Sequence, residues 1–497
     1  MEPWLQAFDL VFTPYVLLVI VCSAGFGLFV GAIPGLTATM ATALLVPVTF
    51  FMEPIPAIAA IATCTAMAIF AGDIPGALLR IPGTPASAAY TDEAYALTRK
   101  GQAEKALGTG LICSMLGGLF GIIVLSTSAP ALADFALNFS SFEFFWLACL
   151  GLTCAVVISS DSAVKGIVSL FLGLFISTVG MGVVTGYPRF TLGLTDLMGG
   201  ISFIPAMVGM FAISEVLRYT VRMTPQPVVE QRAFGNVFKG IAGTLKQYKL
   251  NLVRGSVTGT IVGILPGAGG DIAAWVSYGM SKRFSREPEK FGTGHIEGLV
   301  DASSANNAAI GGAWVPAMVF GIPGDSITAI VIGVLYMKDM NPGPTVFIER
   351  PHMVNSVFLA FFLANLLMVP LGFMLIRLSR QILRIPHAAL MPIIMMFCIV
   401  GSFAINNTTF DIVLMLVLGV MAFIMEENGF PIAPVILGIV LGVMVEDNFI
   451  TSMIKSGGSF LAFFERPIAA VLGLVTLLIW FVPLGLSFYR KRQPTVI

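Results

Sequence analysis

Apolar runs follow one another so closely along this 497-residue chain that no connection between them can hold a sizeable soluble domain. They lie near residues 14–33, 36–52, 55–79, 107–128, 142–160, 163–184, 197–217, 256–280, 300–320, 325–337, 354–376, 385–402, 408–424, 431–448 and 466–489. A helix needs roughly 20 apolar residues to cross a bilayer. Lipid offers no partner to a backbone N–H or C=O, so the runs must satisfy their own backbone. The expectation is an all-α polytopic membrane protein with on the order of 12 membrane segments. Runs too short to cross alone, or interrupted by Pro-Gly, read as halves of broken helices or as re-entrant hairpins. Composition agrees: 11% of residues are charged, against roughly 25% in soluble domains, and the mean hydropathy is +0.92.

Lys plus Arg and Asp plus Glu both number 27, so net charge points to no nucleic acid. The placement of charge is more informative, because Lys and Arg concentrate in cytoplasmic connections. Between Arg218 and Arg254 stand Arg222, Arg232, Lys239, Lys246 and Lys249 against Glu230, which marks a cytoplasmic loop. Arg377, Arg380 and Arg384, and the terminal Arg490-Lys491-Arg492, face the same side, giving a cytoplasmic C-terminus. Met1 to Phe12 carries Glu2 and Asp9 but no basic residue, so it lacks the charged start of a cleaved signal. The first run is expected to be retained, with the N-terminus outside. Lys282, Arg283, Arg286 and Lys290 also read as cytoplasmic, although one apolar run, 256–280, separates them from the central loop. That run must turn back within the membrane, and Leu265-Pro266-Gly267-Ala268-Gly269-Gly270 suits a break.

The sequence also repeats itself. Gly31-Ala32-Ile33-Pro34-Gly35 recurs as Gly263-Ile264-Leu265-Pro266-Gly267, and Asp73 to Thr84 (DIPGALLRIPGT) recurs as Trp314 to Asp325 (WVPAMVFGIPGD). Each half carries two Pro-Gly breaks in the same order, and the charge pattern gives the halves opposite orientation. Two inverted repeats follow, with paired interrupted segments pointing to a midplane site. The division is a first repeat half over 1–217, the basic connection over 218–254, a second repeat over 255–402 and C-terminal transmembrane helices over 403–497.

Irregular backbone at membrane depth requires protein or a watery cavity around it. A helix that starts after a break presents free N–H groups and partial positive charge, which favours an anion. Thr37, Thr39 and Thr42 follow the first break, Thr84 and Ser87 the second, Asp271 the third, and Asp325, Ser326 and Thr328 the fourth. Ahead of the fourth lies a polar stretch containing Asn306-Asn307. The candidate solute-binding set is Gly35, Thr37, Pro82, Gly83, Thr84, Gly267, Asn306, Asn307, Pro323, Gly324, Asp325 and Ser326. Helix capping is the competing role for its Thr, Ser, Asn and Asp members. Asp73, Asp271 and Asp325 are candidates for coupling transport to a cation, since acidic groups at membrane depth are costly and usually functional; capping at an aqueous helix end is the alternative. Asp161, Glu426, Glu427, Glu446 and Asp447 fall at segment ends, where solvation or capping is expected. Arg80 either contacts a carboxylate or snorkels to an interface.

No phosphate-binding G-x-x-x-x-G-K-[ST] and no H-E-x-x-H motif occurs, and His295, His352 and His387 are scattered, so neither an enzyme nor a resident cofactor or metal is expected. Cys22, Cys64, Cys113, Cys149, Cys154 and Cys398 lie in apolar stretches without C-x-x-C spacing and read as small core residues.

At Gly31 to Pro47, Gly72 to Gly108, Gly186 to Phe190 (GYPRF) and Ser304 to Pro344 (SANNAAIGGAWVPAMVFGIPGDSITAIVIGVLYMKDMNPGP), the chain resembles the large membrane subunit, TctA, of the tripartite tricarboxylate transporter family. The resemblance runs through almost the whole chain. It implies a bacterial inner-membrane importer of carboxylates, whether tricarboxylate, dicarboxylate or aromatic acid, driven by Na+ or H+. It also implies a small TctB-like membrane subunit and a periplasmic TctC-like solute-binding protein as partners, and an overall logic similar to elevator-type anion transporters. Trp314 and Met318 are bulkier than the pattern leads one to expect, which leaves the solute open. The alternative reading is an anion channel without obligatory coupling.

Overall fold

A computed structural model describes residues 2–159, 162–182, 186–222 and 235–492. Asp161, Glu230 and Arg232 lie outside the described residues, as do the side chains of Arg380, His387 and Arg490 to Arg492. The described residues are predominantly helical. Its first part comprises α1 (Glu2–Val11), α2 (Pro14–Gly31), α3 (Ala38–Phe50), α4 (Pro54–Ala71), α5 (Asp73–Leu79), α6 (Ala88–Arg99), α7 (Ala103–Ala136), α8 (Ser141–Ser159) and α9 (Ala163–Ser177). A two-residue antiparallel pair, β1 (Gly180–Met181) with β2 (Pro188–Arg189), follows. The middle holds α10 (Phe203–Val208), α11 (Ser214–Arg222), α12 (Ile241–Gln247), α13 (Lys249–Ile264), α14 (Gly269–Phe284), α15 (Ile296–Phe320), α16 (Ser326–Met337) and α17 (Val346–Glu349). The chain ends with α18 (Pro351–Ile382), α19 (His387–Asn406), α20 (Thr409–Glu427), α21 (Ala433–Lys455) and α22 (Pro467–Arg492).

Among the described residues, eight helical stretches are long and apolar enough to cross a membrane: Pro14–Gly31, Pro54–Leu79, Ala103–Ala136, Phe203–Arg222, Pro351–Ser379, Ala388–Asn406, Thr409–Glu427 and Ala433–Lys455. Shorter apolar helices, among them Ala38–Phe50 and Ser326–Met337, sit beside the breaks. The chain is a multi-pass membrane protein. It divides into two compact units, one of residues 1–134 and 202–428, the other of residues 135–201 and 429–497.

The larger unit is built around α15, in which every residue from Gly298 to Phe320 is buried. Glycines let its neighbours approach backbone to backbone. A Cβ on Gly259 or Gly263 of α13 would strike the backbone of Ala305 or Ala309, and one on Gly117 or Gly121 of α7 would strike Ser304 or Ala308. The same device joins α2 to α4, where Gly27 and Gly31 lie against Cys64 and Ala68. Such contact is how helices associate where hydrophobic exclusion from water gives no drive.

The duplicated sequences adopt the same local backbone. Gly35 and Gly267 both take positive φ, 87° and 81°, a region glycine enters without strain. Arg80 and Gly321 both end their helices in the left-handed region, and Ile81 N donates to Pro75 O as Ile322 N does to Pro316 O. Gly83 then abuts Gly72, and Gly324 abuts Ala313. After each break two side chains cap the next turn reciprocally. Thr84 N donates to Ser87 Oγ and Ser87 N to Thr84 Oγ1, at 3.1 and 3.0 Å. Asp325 N donates to Thr328 Oγ1 and Thr328 N to Asp325 Oδ1, at 2.8 and 2.7 Å. At Leu265 to Ala268 the chain reverses, and α14 runs back along α13, bringing Thr258 Oγ1 to 3.8 Å from Met280 Sδ.

In the smaller unit Gly173 of α9 lies on the backbone of Val435 in α21. Trp146 Nε1 donates to Phe463 O at 2.9 Å within an aromatic cluster that includes Phe142, Phe145 and Phe449. Arg189, of the Gly186-to-Phe190 motif, holds Glu446 with both terminal nitrogens, at 2.6 and 3.0 Å.

These contacts predict a contrast between glycines of one helix. Gly31→Ala, pressed against Ala68, is expected to lower the melting temperature of the purified protein by several degrees, since overpacking typically costs about 1–3 kcal/mol. Gly25→Ala, with open space around it, is expected to leave it unchanged or slightly higher. Equal effects in a thermal-shift assay would contradict the packing described for α2 and α4.

Candidate functional site

Three helices of the larger unit begin at one cavity of about 220 Å³. Thr37, Ala38, Thr39 and Met40 come from the start of α3, Gly270 and Asp271 from the start of α14, and Asp325, Ser326 and Ile327 from the start of α16. Gly35, Thr84 and Pro85 come from the first and second breaks, and Asn306 from the middle of α15. Thr37 and Asp325 are N-caps, their side chains accepting from Met40 N and Thr328 N. Capping and lining the cavity are therefore compatible roles for the same residue.

The third and fourth breaks meet because Gly269 and Gly270 lack side chains. A Cβ on Gly269 would collide with Asp325, and one on Gly270 would stand 3.2 Å from Asn306 Oδ1. Trp275, near the middle of α14, donates from Nε1 to Pro85 O at 3.2 Å, and Tyr278 OH donates to Glu93 Oε1 at 2.9 Å. The Glu93 carboxylate is itself held by Gly292 N, Gly294 N and His295 N at 2.5–2.7 Å. These bonds fasten the start of the second duplicated sequence to α6, which follows the first.

Of the remaining residues singled out from sequence, Pro82, Gly83, Pro323 and Gly324 shape the breaks behind the lining, and Gly267 supplies the turn from α13 to α14. Asn307 faces elsewhere: its Nδ2 lies 3.5 Å from Ala66 O and 3.8 Å from Met368 Sδ. Adjacent residues on a helix point about 100° apart, so a cavity that takes Asn306 turns Asn307 toward α4 and α18. Asp73 is buried behind the lining and reaches it through Tyr90, whose OH donates to Asp73 Oδ1 at 2.5 Å and accepts from Asn306 Nδ2 at 3.1 Å. Arg80 points outward and pairs with Asp92 at 2.8 Å.

Sequence reasoning missed one wall of the cavity. Phe211, Ser214, Glu215 and Arg218, with Glu426 of α20, also line it. The Arg218 guanidinium is paired with both Glu215 and Glu426, and Arg222 pairs with Glu427 at 2.8 Å. A second cavity of about 160 Å³, reached past Pro34 and Gly35, shares Glu215 and Arg218 with the first. The stretch before Arg218 contains a π-helical turn, Gly209–Ile213. Such turns are frequent at functional sites, yet nothing in a single sequence announces them.

The cavity thus combines three helix N-termini with four carboxylates, those of Glu215, Asp271, Asp325 and Glu426, and a single guanidinium. The family model described as the tripartite tricarboxylate transporter TctA family matches residues 17–437. The chain belongs to this family. Across 476 residues, covering 95% of this chain and 93% of the other, it is 33% identical to an Agrobacterium vitis protein described as an uncharacterized 52.8 kDa protein in the TAR-I ttuC' 3'region. A second Agrobacterium vitis protein, described as uncharacterized in the TAR-II ttuC' 3'region, is 36% identical over 242 residues, 48% of this chain and 99% of its own length. No solved structure matches. Membership makes the chain the membrane subunit of a tripartite tricarboxylate transporter, and the family match includes all four breaks and every lining residue named above.

The arrangement predicts which positions meet water. In a cysteine-free background, Thr39→Cys and Ser326→Cys are expected to react with a small water-soluble maleimide at least about tenfold faster than Asn307→Cys, which has 1% exposure in the native chain. Comparable labelling of all three, followed by mass spectrometry, would contradict the position of the cavity relative to α15.

Proposed function

We propose that this chain translocates the solute of a cation-coupled secondary importer of carboxylates, whether tricarboxylates, dicarboxylates or aromatic acids. A small TctB-like membrane subunit and a periplasmic TctC-like binding protein are its partners in the bacterial inner membrane. The supporting observation is the mixed electrostatics of one cavity. The first turns of α3, α14 and α16 turn the positive ends of their helix dipoles toward an anion in this space. Four carboxylates stand around the same space, and its one guanidinium is already paired twice. An anion entering alone would be repelled. An anion accompanied by Na+ or H+ would find donors for itself and oxygens for its companions, which is the thermodynamic content of symport.

On this reading the duplicated sequences are two inverted repeats, the α13–α14 hairpin is re-entrant, and the first and second halves contribute equivalent breaks to a midplane site. The full chain makes on the order of 12 crossings or partial crossings, with the N-terminus outside and the C-terminus cytoplasmic. Solute contacts come from Thr37, Thr84, Asn306, Asp325 and Ser326, and Asp271 and Asp325 hold or exclude the coupling cation.

The test is uptake of labelled citrate, succinate and benzoate by cells expressing the chain with both partners, under imposed Na+ and pH gradients. Concentrative uptake that collapses with the gradient is expected, falling at least about tenfold in Asn306→Ala and Asp325→Ala, which corresponds to ~1.4 kcal/mol. Asn307→Ala is expected to act on protein yield rather than on solute affinity. Uptake that only equilibrates the solute and ignores the gradient would favour a channel; no uptake of any of the three would overturn this solute class.

A further inference from the structure

Asp73 opens α5 directly after the Gly72 kink and is 8% exposed. Its Oδ1 accepts from Tyr90 OH, and its Oδ2, fully buried, has no hydrogen-bond partner. The space beside Oδ2 is left by Gly110 of α7, where an added Cβ would stand 3.7 Å away. The groups facing this carboxyl are the Tyr90 phenol from α6 and, beyond it, Asn306 from α15; α7 presents Gly110 beside Oδ2. Among the described residues no ion pair includes Asp73: Arg80, at the end of the same helix, is turned away to Asp92. An ionised carboxylate in such a place costs far more than the neutral acid. A hard cation is held by several oxygens at once, and Asp73 offers one free oxygen, with no cluster of three acidic, His or Cys side chains among the described residues.

We propose that Asp73 is a proton-carrying site, bearing its proton on Oδ2 and communicating with the solute cavity through Tyr90 and Asn306. The proposal rests on the cation-coupled reading above and names one of the cations. The hydrogen bonds run in one direction, from Asn306 Nδ2 to the phenol oxygen and from the phenol to Asp73. Asn306 lines the cavity, so a solute carboxylate there competes for the amide that supports Tyr90. The same anion disfavours negative charge on Asp73. Solute and proton therefore bind together and leave together, without the proton entering the cavity. The corresponding position of the second duplicated sequence is Trp314, buried with its ring against Phe361, so the pair of sequences supplies one such site per chain.

Infrared spectroscopy of the purified full chain in lipid tests the proton independently of transport. The wild-type minus Asp73→Asn difference spectrum at neutral pH is expected to show the C=O stretch of a protonated acid. In Tyr90→Phe, which keeps the acid and deletes its donor, that band is expected to move to higher frequency. Carboxylate stretches in place of the acid band would overturn the proposal, as would a band unmoved in Tyr90→Phe. Should Asp73→Asn fail to yield folded protein, the shift in Tyr90→Phe decides alone. In the uptake assay Asp73→Asn is expected to abolish the response to an imposed pH gradient, and an unchanged response would also overturn it. Absence of uptake in the wild type would count against the transporter reading and leave the infrared result to judge the proton site.

Discussion

The cost of leaving a backbone N–H or C=O unpaired in lipid governs the larger unit. Each interruption of a helix exposes such groups, and here every interruption is closed by a local device. Ile81 N and Ile322 N reach back to Pro75 O and Pro316 O, and Thr84–Ser87 and Asp325–Thr328 cap the turns that follow. The first turns of α3, α14 and α16 border the same 220 Å³ cavity. The cavity is thus a consequence of how the broken helices satisfy themselves.

Holding the ends together depends on α15. Its burial over Gly298–Phe320 makes it the axis on which α7 and α13 pack through glycines. Its charged and amide groups are held by neighbours: Asp301 is paired with Arg254 and Asn251, and Asn306 with Tyr90. Its polar first half also explains why α15 is absent from the helices apolar enough to face lipid. The bonds from Trp275 and Tyr278 to Pro85 and Glu93 tie α14, which follows the third break, to the segment that follows the second.

Much of this was legible because Pro and Gly act locally. Pro34-Gly35, Pro82-Gly83, Pro266-Gly267 and Pro323-Gly324 mark breaks in any context, since the missing donor and the permitted left-handed region belong to the residues themselves. The polar residues just after a break are legible for the same reason: Thr37, Thr84 and Asp325 are where a helix start requires an acceptor. Helical phase was not legible. Asn306 and Asn307 look alike in sequence, and only the placement of α15 among α4, α6 and α18 separates the one bonded to Tyr90 from the one beside Ala66 and Met368. Arg218 and Glu426 were hidden for a stronger reason, being 208 positions apart and looking, taken singly, like segment-end charges.

That hidden pair changes the electrostatic account. From the breaks alone, converging helix N-termini describe an anion site and nothing more. With Glu215 and Glu426 also lining the cavity, the one guanidinium is neutralised, and Asp271 and Asp325 stand at the starts of α14 and α16, Asp325 accepting from Thr328 N and Thr328 Oγ1 but neither of them in an ion pair among the described residues. A dipole end contributes roughly 0.3–1 kcal/mol, far less than like charges gain when a cation is placed among them in a space of low dielectric. On the proposed reading, the cavity is best satisfied when an anion and a cation occupy it together, because the lining supplies both helix N-termini and carboxylates.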